Sequence, residues 1–583
     1  MKTGLKLNAI LLIISILFVS CFERNNYKVT RQYENLSQEN YALIQNLEST
    51  LKNINDSVKF AYRGNELSTS KQIKELYVLN QFLPIWTDNM KPNHFARELI
   101  RLFAKSSFYG LDTSFYNFSE LKTLYYSLED KNDKNSLDKA IEFEILLTHN
   151  CYKIMSHLYS GVIKPDTLIY GRKIINFPKD FPQKLSSLIN TDYLTEGILD
   201  LQPKSIEYIA LQKGLEKFLR NTLLYNDSLY LPDPNVDSTL AYDITKEILT
   251  KNKYYQPQKY VDAYVNCRVN EITNYLSDTI GYKISFDVEY NSDTLFVSAL
   301  KEFQKDNGLN GDGLIGLNTR KALIMTNMDR FEQIAINLER LRWEQKRPSK
   351  YVYVNIPSYK LSLIEKNKIK KTYKVVVGAI STPTPELNSQ IEYLITNPTW
   401  NVPASISKNE LLPKIKSDPE YLKKHNYKIL DENRLPINND INWTEVNNDN
   451  FNYFIRQSSG SDNALGNLKF IFPNPYHVYI HDTQSKSKFY NDIRAYSHGC
   501  MRIEKPISFA NDLLKSEQKE VTDTFNIVME KGIRKIINLS KPVPVYVRYI
   551  TCEADENSNI IFYKDIYKKD ETLKKQLFSK SSI

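Results

Sequence analysis

The sequence predicts an α+β protein of several domains. A helical N-terminal scaffold comes first, then a small helical domain, then a β-rich, sandwich- or barrel-like domain carrying an inserted cap. Three observations carry this. The chain has 583 residues, enough for three or four ordinary domains. Its apolar residues recur at helical spacing as far as Leu341 and alternate with period two after Pro348, so the class changes near Lys346. Four of the 17 glycines fall between Gly308 and Gly316, punctuating a tight loop in between. With 42% hydrophobic and 12% aromatic residues, the composition is globular.

The N-terminus reads as an export leader. Lys2 and Lys6 precede an apolar run from Ala9 to Val19 broken only by Ser15, followed by Ser20-Cys21. The run is short for a permanent membrane span. Phe18-Val19-Ser20-Cys21 resembles a bacterial lipobox, with Phe18 where that motif usually has Leu, and places the lipidated cysteine at Cys21. Residues 1–20 are therefore expected to be a lipoprotein signal peptide, and the polar, Asn-rich residues 21–65 a tether with some helix.

Residues 66–240 are expected to be a helical scaffold. Ile73, Leu76 and Tyr77 precede the turn Phe82-Leu83-Pro84-Ile85-Trp86. Phe95, Leu99 and Phe103 then recur at helix spacing until Gly110-Leu111-Asp112. Ala140 to Tyr159 is strongly amphipathic and stops at Gly161. His149 and His157 on it read as packed or surface histidines. Further helices are expected over Lys204–Leu224 and Ala241–Leu276.

In the next domain (241–328), Phe296, Ala299, Leu300 and Phe303 form one helical face ended by Asn307-Gly308. Asn318 is placed to cap a second short helix. The glycine loop between them lacks the Lys-Ser/Thr ending and the preceding strand of a phosphate cradle.

Residues 329–550 form the β-rich domain. A helix ends at Arg342-Trp343, and strands follow at Tyr351–Ile356, Lys360–Ile364 and Tyr373–Val377. A Pro-bounded strand is expected at Asn397–Pro403. The polar residues from about Ser405 to Asn452 show no strand pattern and read as an insertion covering something. The Lys/Tyr-rich tail, 551–583, has no reading.

Charge and cysteines narrow the chemistry. Lys and Arg total 77 against 68 acids, a formal +9. Spread over this length, with no basic tract interleaved with aromatics, it gives no support to nucleic-acid binding. Apart from Cys21, the cysteines at 151, 267, 500 and 552 have no paired spacing, so neither a disulfide framework nor a zinc knuckle is read.

Three of the seven histidines fall close together beside a cysteine, in Tyr476-His477-Val478-Tyr479-Ile480-His481-Asp482 and Ser497-His498-Gly499-Cys500-Met501-Arg502. Read as a strand, Tyr476–His481 sets His477 and His481 about 13 Å apart, too far for one metal, so no metal site is assigned. A thiol beside a base is a nucleophile in waiting. Gly499 frees the turn's N–H groups to face a carbonyl oxygen. His481 is the base, with Asp482 or a backbone carbonyl left to orient its other nitrogen. Arg502 binds a carboxylate or holds the loop.

His481, Ser497-His498-Gly499-Cys500 and Arg502 together resemble the signature of the YkuD-type L,D-transpeptidases. Arg456-Gln457, Asn463-Ala464-Leu465-Gly466, Lys469-Phe470 and Phe472-Pro473-Asn474 resemble the approach to the site in the large, YcbB-like branch. Asn337–Trp343 resembles that branch's linker helix. Leu83–Trp86 and Gly110–Asp112 resemble its scaffold. Leu300–Thr319 resembles a small peptidoglycan-binding domain of cell-wall enzymes.

The resemblance implies that Cys500 is the nucleophile and His481 its base. It implies that His498 and Gly499 shape the oxyanion side, and that Tyr479 and Trp400, with Ser497 and Arg502, meet substrate. It further implies attack between meso-diaminopimelate and D-Ala in a tetrapeptide stem of peptidoglycan, release of D-Ala, and transfer to a second stem as a 3-3 cross-link. No cofactor is implied. The expected setting is a periplasm-facing, membrane-anchored monomer in the cell envelope. Hydrolysis by an L,D-carboxypeptidase, attachment of a protein to the wall, and a non-catalytic wall-binding lipoprotein stay open as alternatives.

Overall fold

The computed structural model describes residues 37–578 apart from 53, 55–60, 63, 131–135, 173, 177, 192, 223–230, 257–291, 345, 419 and 438–440. The predicted leader, Cys21, Cys267 and the far half of the Ala241–Leu276 helix lie outside the described residues. The chain divides into two units. One is built from residues up to 105, 113–156 and 177–201, and the other from 106–112, 157–176 and 202 onward. No helix among the described residues is long and apolar enough to cross a membrane.

In the first unit a carboxylate sits where the sequence shows only an apolar stripe. Glu144, on the Ser136–Ser160 helix, is fully buried. It accepts from the Ile85 and Trp86 amides at 2.9 and 3.0 Å, and from Thr87 Oγ1 and Tyr77 OH at 2.7 and 2.6 Å. Four donors replace water around one acid, so the Pro84-Ile85-Trp86 turn is pinned to the helix. Part of the expected tether is a packed helix, Gln38–Lys52, burying Leu43, Ile44, Leu47 and Leu51. Its apolar stripe is diluted by polar neighbours, which hid it from composition.

In the second unit, the helices Ser292–Asp306 and Leu317–Leu323 flank the glycine loop. Gln304, 1% exposed, fills that loop. Its Nε2 donates to Asp312, Leu314 and Thr319, and its Oε1 accepts from the Gly313 amide. The loop's interior is thus taken by a side chain. Gly316 rather than Asn318 occupies the cap position of the short helix.

The Asn327–Arg342 helix starts at a capping box between Thr326 and Asp329. It is buried on most sides, and its polar residues are paired. Gln333 and Asn337 hold Thr551, and Arg340 pairs with Asp570. The C-terminal segment without a sequence reading therefore packs on this helix as a hairpin and the Asp570–Phe578 helix. Cys552 is fully buried in that hairpin. Just beyond the helix, Glu344 binds Arg172, Arg347 and Arg548. Their charges hold its carboxyl far below the usual carboxylate range against the cost of burial.

The strands of the β-rich domain are β1 (Lys350–Asn355), β2 (Lys360–Glu365), β3 (Lys368–Gly378), β4 (Leu387–Thr396), β5 (Trp400–Asn401), β6 (Tyr427–Leu430), β7 (Phe454–Gln457), β8 (Leu468–Ile471), β9 (Ile480–His481), β10 (Ala495–Ser497), β11 (Met501–Ile503) and β12 (Lys535–Arg548). The order β10-β3-β11-β9-β8-β4-β12-β1-β2 makes a mixed sheet, and β2 also pairs β3. All but β10 thereby close into a barrel-like ring around a core that includes Val352, Leu361, Val375, Leu394, Phe470, Ile480 and Met501.

Three of these strands differ from the sequence expectation. The Asn397–Pro403 strand is only β5, two residues long, because prolines bracket it. The inserted cap carries a strand, β6, and joins β7 and β5 in its own three-stranded sheet. It has its own core of Val402, Ile406, Leu411, Leu412, Ile415, Val446, Phe451 and Ile455. The expected Tyr476–His481 strand is only β9, Ile480–His481. Asn474 captures the preceding backbone, accepting from the Tyr476 and Val478 amides, and His477 turns into the left-handed region at φ +54°.

Candidate active site

Strand alternation builds the site. In β8, β9 and β11, Phe470, Ile480 and Met501 face the core. With period two, the intervening positions face outward together. Register aligns Lys469 with His481 across β8 and β9, and His481 with Arg502 across the parallel pair β9 and β11. A buried imidazole therefore stands between two cations.

The ring is fixed by its neighbour. His481 Nδ1 lies 2.5 Å from the Asp482 carbonyl oxygen, which can only accept, so Nδ1 carries the proton and Nε2 keeps its lone pair. The Asp482 carboxylate does not share this task. It accepts from the Asn467 and Thr483 amides and pairs with Lys486. Gly466 is required beside it, since φ is +58° and a Cβ would lie 2.4 Å from that carboxylate. Burial, then the charges of Arg502 and Lys469, lower the imidazole to about 3; it is neutral at ordinary pH.

Cys500 is partly buried just before β11. Burial raises its thiol above the ordinary value, opposed by hydrogen bonds from Tyr479 and by the charges of Lys469 and Arg502. Tyr479 is the hub: burial pushes its hydroxyl far up, and Cys500 and Trp400 both act on it. Lys469 Nζ stands 3.6 Å from its ring centroid, and its ring meets His481 edge-on at 5.6 Å.

The turn bearing the thiol is held from below by the loop after β3. Thr382 Oγ1 donates to the Ser497 carbonyl, and Thr384 Oγ1 donates to the Gly499 carbonyl at 2.8 Å while accepting from the Gly378 amide. Ser497 Oγ donates to the Cys500 carbonyl at 2.5 Å. In a trans peptide the N–H points opposite the C=O. Anchoring the carbonyls of Ser497 and Gly499 therefore turns the N–H groups of His498 and Cys500 the other way. Gly499 sits at φ +103° with room for a Cβ, so backbone conformation, not crowding, calls for glycine there. His498 points to the cap, its Nε2 2.5 Å from Glu410 Oε1.

Cys500, His481, Tyr479, Trp400, Arg502, Ser497, His498 and Gly499 are thus gathered in one place. His477 stays in its turn, and among the described residues no group of three or more His, Cys, Asp or Glu could hold a metal ion. Sequence reasoning named Lys469 only within the approach to the site, without a role, and did not single out Thr382, Thr384 or Glu410. Only Lys469 carried a signal, as the polar position in Leu468-Lys469-Phe470. Arg502 Nε is buried without a hydrogen-bond partner among the described residues.

Comparison with known proteins gives three domain matches. Residues 349–528 match the L,D-transpeptidase catalytic domain (YkuD), 71–215 a scaffold domain, and 268–323 a "putative peptidoglycan binding domain". A Haemophilus influenzae protein named "Putative L,D-transpeptidase" is 36% identical over 244 residues, covering 41% of this chain and 48% of the relative. The match thus spans about half of that relative's length. A solved structure titled "Structure of the Ldtfm-avibactam carbamoyl enzyme" is 14% identical over 34% of this chain and 49% of that one, with a TM-score of 0.18, and that likeness carries no weight below.

Proposed function

We propose, from the match of residues 349–528 to the L,D-transpeptidase catalytic domain, that the chain is an L,D-transpeptidase and that Cys500 is the nucleophile of a two-step acyl transfer on peptidoglycan stem peptides. The observation that carries this reading is the oriented His481, whose Nδ1 is committed to the Asp482 carbonyl and whose Nε2 is left to accept a proton.

An imidazole at about 3 and a thiol above its usual 9.0 do not exchange a proton at rest. The proton leaves sulfur as the bond to the substrate carbonyl forms. His481 takes it and delivers it to the departing D-Ala nitrogen. The N–H groups of His498 and Cys500 meet the oxyanion. Lys469 and Arg502 favour negative charge on sulfur and oxygen. The thioester is then resolved by the side-chain amine of a second stem, giving a 3-3 cross-link. The scaffold and peptidoglycan-binding domain matches support a chain that works on the wall. With the leader this gives an exported lipoprotein anchored at Cys21.

Incubating the full chain with tetrapeptide muropeptides and weighing the products tests this. D-Ala release, a tripeptide adduct on Cys500 and cross-linked dimer are expected, and Cys500→Ala should abolish all three. Product formation by that variant would remove Cys500 from the role. Tripeptide without dimer would instead make the enzyme a carboxypeptidase. Cys21→Ala should release the protein from membranes, and unchanged fractionation counts against the anchor.

A further inference from the structure

The cap reaches the surroundings of Cys500 through two side chains. On one side Trp400, packed on the cap core with Ile406 and Leu411, acts on the Tyr479 hydroxyl, as does Cys500. On the other, Glu410 of the Ser407–Leu411 turn reaches His498, two residues before the thiol. Leu411 and Leu412 beside it are buried, so the backbone that aims the carboxylate is fixed. Its own side chain is 43% exposed and that of His498 45%. A contact so open to water adds little to stability, which leaves the placement of a carboxylate against the thiol-bearing turn without a structural purpose. Oε1 is given to His498, and Oε2 has no hydrogen bond among the described residues.

We propose that Glu410 is the acceptor-selecting residue, its carboxylate taking the ammonium group of the incoming amine and receiving its first proton. This rests on the reading of Cys500 as nucleophile. The amine arrives as R–NH3+ and cannot attack until a proton leaves. One proton passes to Glu410 and on to solvent. The freed lone pair attacks the thioester carbonyl. A second proton passes by way of His481 to the Cys500 sulfur as the C–S bond breaks, and the third stays on the new amide nitrogen. Water needs no carboxylate to bind it, so Glu410 favours cross-linking over hydrolysis.

The test is the ratio of cross-linked dimer to tripeptide formed by the full chain from purified tetrapeptide muropeptide. Glu410→Gln should lower that ratio about tenfold or more, the effect of losing one charge-assisted hydrogen bond, and Glu410→Asp should restore much of it. A wild-type ratio in Glu410→Gln overturns the proposal. So does a parallel loss of both products, which is what a merely structural contact predicts. A wild type that releases no D-Ala and forms no Cys500 adduct overturns the underlying reading of Cys500, and is recognised without any variant.

Discussion

His481 Nδ1 and the Asp482 carbonyl oxygen, 2.5 Å apart, set the tautomer of the site within two consecutive residues. The flanking cations and burial hold the ring neutral down to about pH 3. The unfolded chain protonates this histidine below about 6.5, and the folded one does so only near 3. Folding stability is therefore undiminished by this residue above 6.5 and declines as pH falls from there toward 3. The rate of Cys500 acylation, followed by intact mass, should likewise show no half-loss near pH 6.5. Arg502→Gln, which removes the larger of the two charge effects, should move the acid limb upward from about 3 while burial still holds it below 6.5.

Lys469 stands over the Tyr479 ring, and its charge opposes the upward push of burial on the Cys500 thiol. Lys469→Met should slow iodoacetamide alkylation of Cys500 at pH 8 by about three- to tenfold, because the thiolate loses a nearby cation. Lys469→Arg should keep most of the rate. An unchanged rate in the Met variant would show that the ammonium does not stabilise the anion.

Thr384 joins Gly378 to Gly499 through one hydroxyl. Thr384→Val keeps the shape and strands a buried amide and a carbonyl, at about 1–3 kcal/mol. Denaturant midpoints should show that loss, and acylation should slow with it as the turn loosens. Thr384→Ser should recover both.

Glu344 faces Arg172, Arg347 and Arg548. Glu344→Gln takes the carboxylate from Arg548, while Arg172 keeps Glu386 and Arg347 keeps Glu207, at a cost of about 3 kcal/mol at neutral pH. Because its folded value is depressed below 4.5, its contribution is full above about 4.5 and declines as pH falls further. Wild type and variant should converge in acid, as paired urea melts at pH 7 and pH 4 would reveal. A constant gap would contradict the ion-pair origin.

The sequence was most legible where periodicity and rarity coincide. The period change near Lys346 and the amphipathic run to Gly161 both survive in the fold, and His481 lies on β9 while the turn bearing Cys500 leads into the neighbouring strand β11. It was least legible where one side chain overrides a local pattern. Asn474 bends what alternation made a strand, so His477 leaves the sheet by a turn rather than by distance. Glu144 hides a buried acid inside an apolar stripe. Glu410 comes from a polar insertion with no periodic signal, and its meeting with His498 is made by tertiary structure alone. The C-terminal tail lacked a reading because its partners, Gln333 and Asn337, lie more than two hundred residues away.

The stem of the cap has one more consequence. Trp400 pairs with Gln457 and Asn401 with Arg456, so the chain leaves the barrel and comes back along a single two-stranded zipper. The insertion, with its own apolar centre, is therefore an exchangeable cassette. Its length can change without altering the register of the strands that carry His481 and Cys500.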